Sequence, residues 1–300
     1  MLERREFLIL REIAEKGKQT QRRLSAALRL SIGTVNRTVR ILEEKGCLSD
    51  GRLTEVGASA LEPYRVERAV FLAAGFGSRL VPATLNTPKP LVRIHGKRMI
   101  DTMLDAVIAA GIREIYIVRG YLGIQFDQLL ADYPMIKFLE NPLYNQSNNI
   151  SSLLAAGEHV KNAYILEADF YVRDPSVIRT YQYASNYLGC YCARTDDWMI
   201  TEDRGYASGM SLGGENGWRS CGVSYWTTED GARLFAQAKE LWDRPGGHER
   251  FFDHIPMEDY KNDYHLEIRP CDPEALVEID TYAELCALDP AYSVGNLKIP

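Results

Sequence analysis

The chain has no apolar run approaching the roughly 20 residues that a membrane-spanning helix needs. Its opening, MLERREFLIL, lacks the long apolar segment and the small-residue cleavage site of a signal peptide. These absences predict a cytoplasmic protein with no membrane partner. The cysteines, Cys47, Cys190, Cys192, Cys221, Cys271 and Cys286, include no C-x-x-C pair and no histidine at zinc-ligand spacing. They are therefore expected to be reduced structural thiols. Cys190 and Cys192 fall two apart in a strand-like run, on one face, which favours packing over chemistry. The histidines (His95, His159, His248, His254 and His265) are scattered and form no dyad, so none is expected in the chemistry. Internal repeats and low-complexity tracts are also missing.

What is present is a globular composition. Hydrophobic residues make up 46% of 300 residues, too many residues for one small domain and enough for a small domain followed by a larger α/β one. The net charge of -6 is unevenly spread. Residues 1–65 carry 13 Lys and Arg against 9 Asp and Glu, which leaves a net of -10 on the remainder. The two parts are suited to different partners.

The organising stretch is Ala69 to Leu91, AVFLAAGFGSRLVPATLNTPKPL. An apolar run of the kind found in buried parallel strands leads straight into a loop bearing Gly75 and Gly77, then Arg79, then Lys89 between two prolines. Glycines let the backbone turn tightly with its N–H groups outward, a nest that binds anions, and the two cations strengthen it. Two familiar phosphate loops do not fit. The dinucleotide fingerprint requires Gly or Ala where Leu80 stands, and the P-loop requires Gly-Lys-Ser/Thr where Ser78-Arg79-Leu80 stands.

Upstream, residues 3 to 17 place Phe7, Leu8, Leu10, Ile13 and Ala14 at helical spacing, closed by Gly17. Thr20 can cap a second helix, QRRLSAAL, and a third follows Ser31, IGTVNRTVRILEEKG. Cys47 to Gly57 reads as strand-turn-strand with Asp50-Gly51 at its tip. The order resembles a winged helix-turn-helix domain of the bacterial regulator type, in which Thr34, Asn36, Arg37 and Arg40 would face DNA from the recognition helix and Arg52 from the wing. The bland alternative is a solvated face, with the domain sensing a ligand or pairing two copies into a homodimer. A short helix and a linker broken at Pro63 place the boundary between residues 1–64 and 65–300.

From Ala69 onward helices and strands alternate: helix Met99–Ala110, strand Glu114–Val118, helix Ile124–Tyr133, strand Ile136–Leu139, helix Ile150–Val160, strand Ala163–Leu166. This predicts an α/β fold, a mostly parallel sheet covered by helices, with ligands at the carboxyl ends of the strands. Strand AYILEADFYV carries Glu167-Ala168-Asp169, and ALVEID ends in Glu278 and Asp280. Carboxylates at strand ends suit a hard cation such as Mg²⁺. The competing reading is that Asp169 caps the turn at Pro175 and Asp280 the helix TYAELCAL.

Taken whole, L-A-A-G-x-G-S-R-L followed by T-P-K-P-L resembles the signature of nucleotidyltransferases. The later order R-T-D-D-W, G-V-S-Y-W and F-F-D, with S-N-N-I-S-S ahead of the metal strand, is similar to the bacterial CTP:phosphocholine cytidylyltransferases. The resemblance covers about the last three quarters of the chain. It implies a Rossmann-like mixed sheet covered by helices and a Mg²⁺-dependent transfer of a cytidylyl group from CTP to phosphocholine, giving CDP-choline and pyrophosphate. Arg79 and Lys89 would bind phosphates. Leu72, Ala73, Ala74, Gly75, Gly77, Ser78, Gly120 and Tyr121 would surround the nucleotide, and Asp169 and Asp280 would hold the metal. Asn149, Asp197, Trp198, Tyr225, Trp226 and Asp253 would surround the acceptor, aromatic faces attracting its quaternary ammonium. One departure is that Glu167-Ala168-Asp169-Phe170 stands where the resemblance calls for Asp-Ala-Asp-Asn. Alternative acceptors are 2-aminoethylphosphonate, another aminoalkyl phosphate or a sugar 1-phosphate. An alternative of another class is a transcriptional regulator that only senses a ligand.

Overall fold

The computed structural model describes residues 1–293. Two compact units emerge. The first comprises Met1–Val66 together with Thr180–Tyr183, and the second Glu67–Arg179 and the chain from Ala184 onward. Residues 180–183, which the sequence places in the larger domain, thus belong with the first unit. The reason is aromatic packing: Tyr64 and Tyr183 stack at 5.5 Å, Phe7 lies against both, and Arg65 donates to the Tyr181 hydroxyl at 2.8 Å.

In the first unit α1 (Arg4–Lys16), α2 (Gln21–Leu28) and α3 (Ile32–Glu44) pack around Phe7, Leu10, Ile13, Leu24, Val35 and Leu42. Each helix starts where a side chain satisfies an orphan N–H. Thr20 accepts from Arg23 at 3.3 Å and Ser31 from Thr34 at 3.1 Å. A two-stranded wing follows, β1 (Leu48–Ser49) with β2 (Arg52–Leu53). It is shorter than the sequence suggests, because Thr54 caps α4 (Glu55–Leu61) through the Gly57 N–H at 3.1 Å and ends the strand there.

The second unit contains β3 (Arg68–Ala73), the short hairpin β4 (Arg93–Ile94) and β5 (Lys97–Arg98), α5 (Met99–Ala109), β6 (Glu114–Arg119), β7 (Ile136–Glu140), α6 (Ile150–Ala156), β8 (Ala163–Glu167), β9 (Phe170–Val172), β10 (Asn186–Asp203), β11 (Tyr206–Trp226), α7 (Thr228–Trp242), β12 (Glu267–Pro270), β13 (Leu276–Glu278) and α8 (Tyr282–Leu288). Seven strands form a mixed sheet in the order β10-β12-β11-β8-β3-β6-β7. β3 runs parallel to both β6 and β8, and its residues Ala69, Val70 and Phe71 are fully buried, as a central strand covered on both faces requires.

Two helices of the sequence reading differ. Gly123–Ala131 winds as 3₁₀ turns where an α-helix over Ile124–Tyr133 was expected. The helix expected over Ile150–Val160 stops at Ala156, because Gly157 takes a positive φ of 59° and the chain continues as a 3₁₀ turn.

β9 and β13 form a separate antiparallel pair outside the main sheet, with Glu278 opposite Phe170 and Val277 opposite Tyr171. The pairing is short, but it brings together two segments more than a hundred residues apart in sequence.

Candidate active site

Strand β3 delivers the chain to the loop Ala74–Gly77. Gly77 has φ +62°, and a Cβ there would lie 2.7 Å from Lys89 Cβ, so the loop and the Lys89 turn approach as closely as glycine allows. Thr84 fixes the approach by donating from its hydroxyl to the Gly77 carbonyl at 2.8 Å. Gly75 meets nothing within 4 Å and is not sterically required.

Lys89 is buried, and its Nζ donates to Asp169 Oδ2 at 2.9 Å and to Asp280 Oδ1 at 2.8 Å. Burial works against the ammonium, but the two aspartates outweigh it and hold the Lys89 pKa above the ordinary lysine value. Arg79 pairs with the other Asp280 oxygen at 2.9 Å. Neither aspartate is a helix cap. Asp174 caps the turn at Pro175 and Thr281 caps α8, which leaves Asp169 and Asp280 turned to the site.

Oxygens of Asp169, Glu278 and Asp280 all lie within 4.8 Å of one another. Asp169 Oδ1 is buried without a hydrogen-bond partner, a costly arrangement for an anionic oxygen. An all-oxygen donor set with an orphaned buried carboxylate oxygen fits a hard divalent cation. Burial, then the charges of Asp169 and Asp280, push the Glu278 carboxyl up to about 8. Burial and Asp169 likewise raise Glu167 well above the carboxylate range. The site carries more carboxylate than its lysine and arginine compensate.

Two cavities, each of about 380 Å³, meet here and share Arg79, Glu167, Asp169 and Asp280. The first is lined by Leu72, Ala73, Ala74, Gly75, Gly77, Ser78, Lys89 and Asn149. The second is lined by Asp196, Asp197, Trp198, Met210, Leu212, Phe251, Asp253, His254 and Glu278. Asn149 also braces the second cavity's wall, accepting the Phe252 N–H at 2.8 Å. Asp253 accepts from the Tyr187 hydroxyl at 2.7 Å, yet burial raises its pKa to about 7.

Four expectations need correction. Tyr225 and Trp226 do not reach either cavity. Trp226 is fully buried among core side chains with its Nε1 on Ser224 Oγ at 2.9 Å, and the buried Tyr225 donates to Asn162 Oδ1 at 2.8 Å. Large aromatics at the end of a central strand fill core space first. Gly120 and Tyr121 support the glycine loop instead of lining the cavities: the Tyr121 N–H donates to the Ala74 carbonyl at 3.1 Å, its ring lies 5.2 Å from Phe76, and a Cβ on Gly120 would strike Tyr144.

The sequence reading names Glu167 and Glu278 as strand-end carboxylates but gives the metal to Asp169 and Asp280 alone, and it gives Phe251 and His254 no role. His254 was discarded as a lone histidine, but the fold sets it edge-on to Trp198 and Phe251, at 5.9 and 5.3 Å. The aromatic rings lining the second cavity are thus Trp198, Phe251 and His254.

On the first unit Asn36, Arg37, Arg40 and Arg52 are exposed. Thr34 is half-buried, with its hydroxyl 2.9 Å from that of Ser31.

The Nucleotidyl transferase family model matches residues 68–184, and the Winged helix-turn-helix DNA-binding model matches residues 2–48. A 2-aminoethylphosphonate cytidylyltransferase of Lancefieldella rimae is 33% identical over 75% of this chain and 92% of its own length. A choline-phosphate cytidylyltransferase of Streptococcus pneumoniae is 27% identical over 74% and 96%. The solved structure of the CTP:phosphocholine cytidylyltransferase from Streptococcus pneumoniae superimposes with a TM-score of 0.70 at 27% identity, covering 75% of this chain and 98% of that one. The chain therefore belongs to the nucleotidyltransferase family, among the cytidylyltransferases, and carries a winged helix-turn-helix domain at its N-terminal end.

Proposed function

We propose that the protein transfers a cytidylyl group from CTP to a small phosphonate or phosphate bearing a protonated amine, with 2-aminoethylphosphonate as the acceptor its second cavity suits best. The observation that carries this reading is the shared wall of Arg79, Glu167, Asp169 and Asp280 between a glycine-loop cavity and an acidic one. The preference for cytidine rests on the cytidylyltransferase relatives.

Two anions must meet in such a transfer. An acceptor oxygen, already ionised at neutral pH, attacks the α-phosphorus of CTP; the bond from that phosphorus to the bridging oxygen breaks, and pyrophosphate leaves. No general base is needed, and positioning with charge neutralisation is nearly the whole task. The backbone of Ala74–Gly77 cradles the triphosphate, Arg79 reaches its charge from the exposed rim, and buried Lys89 supplies a cation without needing to move. Asp169 and Asp280, with Glu278 beside them, would hold Mg²⁺, which when bound neutralises charge on the triphosphate and orients it.

The choice of acceptor follows from the second cavity. A quaternary ammonium is best held by several aromatic faces, whereas a primary ammonium donates hydrogen bonds to carboxylates. With Tyr225 and Trp226 in the core, Asp196, Asp197 and Asp253 dominate over Trp198 and Phe251. The Lancefieldella rimae relative is named for the same acceptor. Phosphocholine is the second reading, favoured by the Trp198–Phe251 pair, whose rings lie 5.5 Å apart.

Pyrophosphate release from CTP and Mg²⁺ with 2-aminoethylphosphonate, phosphocholine and a sugar 1-phosphate tests this. The highest kcat/KM is expected with 2-aminoethylphosphonate. A higher value with phosphocholine moves the assignment to the second reading, and no release with any acceptor removes the enzymatic one.

A further inference from the structure

Three of the thiols that look unrelated in sequence meet in the fold. Cys190 lies on β10, Cys221 on β11 and Cys271 immediately past β12. Their Sγ atoms stand 3.1 Å apart for Cys190 and Cys271, and 3.6 Å for Cys221 to each of the others. The backbone enforces this. β10 and β12 run parallel with Gly189 opposite Pro270, and the Cys271 N–H donates to the Gly189 carbonyl at 3.0 Å, which sets Cys190 and Cys271 side by side. All three are free thiols; Cys190 and Cys221 are buried and Cys271 is half-buried, which gives the cluster an approach from solvent.

We propose that Cys190, Cys221 and Cys271 form a three-thiolate site for a soft or borderline divalent ion of the zinc class, with the fourth coordination position left to an exogenous ligand. Sulfur atoms bound tetrahedrally at a Zn–S distance of about 2.3 Å stand ~3.8 Å apart, so sub-ångström movements convert the triangle into a coordination face. An all-sulfur donor set rejects Mg²⁺ and selects softer ions, the reverse of the all-oxygen set at Asp169, Glu278 and Asp280. Arg219 places a positive charge beside Cys221 and Cys190. Arg219 also faces Asp197 at 3.9 Å and Glu278 at 4.0 Å, so one guanidinium adjoins both the thiol cluster and the second cavity. Binding displaces the remaining S–H protons to solvent and is therefore weakened by acid. The ion would tie the long β10–β11 hairpin to β12.

The test uses the full chain, reduced and stripped with a chelator, and titrated with Cd²⁺ while following thiolate-to-metal charge-transfer absorption. One equivalent per chain is expected, displaced by Zn²⁺ and untouched by millimolar Mg²⁺. Cys190→Ser, Cys221→Ser and Cys271→Ser should each weaken binding at least tenfold, and Cys192→Ser should not. Should a serine variant fail to fold, alkylation of the wild-type chain read by mass spectrometry decides, since bound ion should shield Cys190, Cys221 and Cys271 together. Absence of a saturable one-equivalent band, wild-type affinity in all three folded variants, or alkylation undiminished by metal overturns the proposal.

Discussion

Ile279 donates its backbone N–H to the carbonyl of Asp169 at 3.2 Å. That rung, with the Glu278–Phe170 register beside it, fixes where the two aspartates sit, and Lys89 then spans their carboxylates. The arrangement makes the three side chains interdependent, since removing one changes the charge balance around the other two.

Replacing either aspartate by asparagine keeps the shape and removes one negative charge. Asp169→Asn and Asp280→Asn are each expected to lower kcat by ~10²–10³, with a higher Mg²⁺ requirement. Steady-state pyrophosphate release against Mg²⁺ concentration checks this; a variant with an unchanged Mg²⁺ dependence would count against metal ligation by that residue. Lys89→Met is expected to cost at least as much, because the cation spanning Asp169 and Asp280 is then lost and the exposed Arg79 is left to face Asp280.

The glycine loop separates two effects that sequence alone merges. Gly77→Ala forces a left-handed φ on an L-residue, at about 1–2 kcal/mol, and drives its Cβ against Lys89. A lower Tm and a raised KM for CTP are expected. Gly75→Ala meets open space and should leave Tm unchanged. Thermal unfolding of the two variants side by side is the measurement.

The legible parts of this molecule were those written in local chemistry. The run from Ala69 through Gly77, the caps Thr20 and Ser31, and the strand ends at Asp169 and Asp280 each announce themselves within a few residues. What could not be read was set by long-range register and core filling. Nothing near Tyr225 or Trp226 says that the end of β11 turns them inward, and nothing near Phe251 or His254 says that their loop closes over Trp198. The return of Thr180–Tyr183 to the first unit is likewise an aromatic contact across more than a hundred residues. Glu167 and Glu278 are a different case, since the sequence names them as strand-end carboxylates and only the fold brings Glu278 together with Asp169 and Asp280.

Trp198 and Trp226 should separate cleanly in experiment. Trp226→Ala empties a fully buried site and is expected to destabilise the fold by about 3–5 kcal/mol, while a conservative Trp226→Phe should leave acceptor KM near wild type. Trp198→Ala, at a half-buried position on the second cavity, should change Tm little. The lost cation–π contribution of about 0.5–2 kcal/mol corresponds to an acceptor KM raised roughly 2- to 30-fold. Equal loss of acceptor affinity in Trp226→Phe and Trp198→Ala would return Trp226 to the binding site.

The first unit makes its own prediction. Asn36, Arg37 and Arg40 lie exposed on α3, the helix that would enter the major groove, and Arg40 makes a 3.6 Å pair with Glu44 on the surface. If this face binds DNA, mobility shifts with fragments upstream of the protein's own coding region should show saturable binding that weakens steeply with salt. Arg37→Ala and Arg40→Ala together should flatten that salt dependence by about 2 in logarithmic slope if both touch phosphate. Pyrophosphate release by the same variant should stay at the wild-type level, because no residue of the active site is altered. A salt-independent shift, or one that the double variant leaves intact, would assign the face to another role.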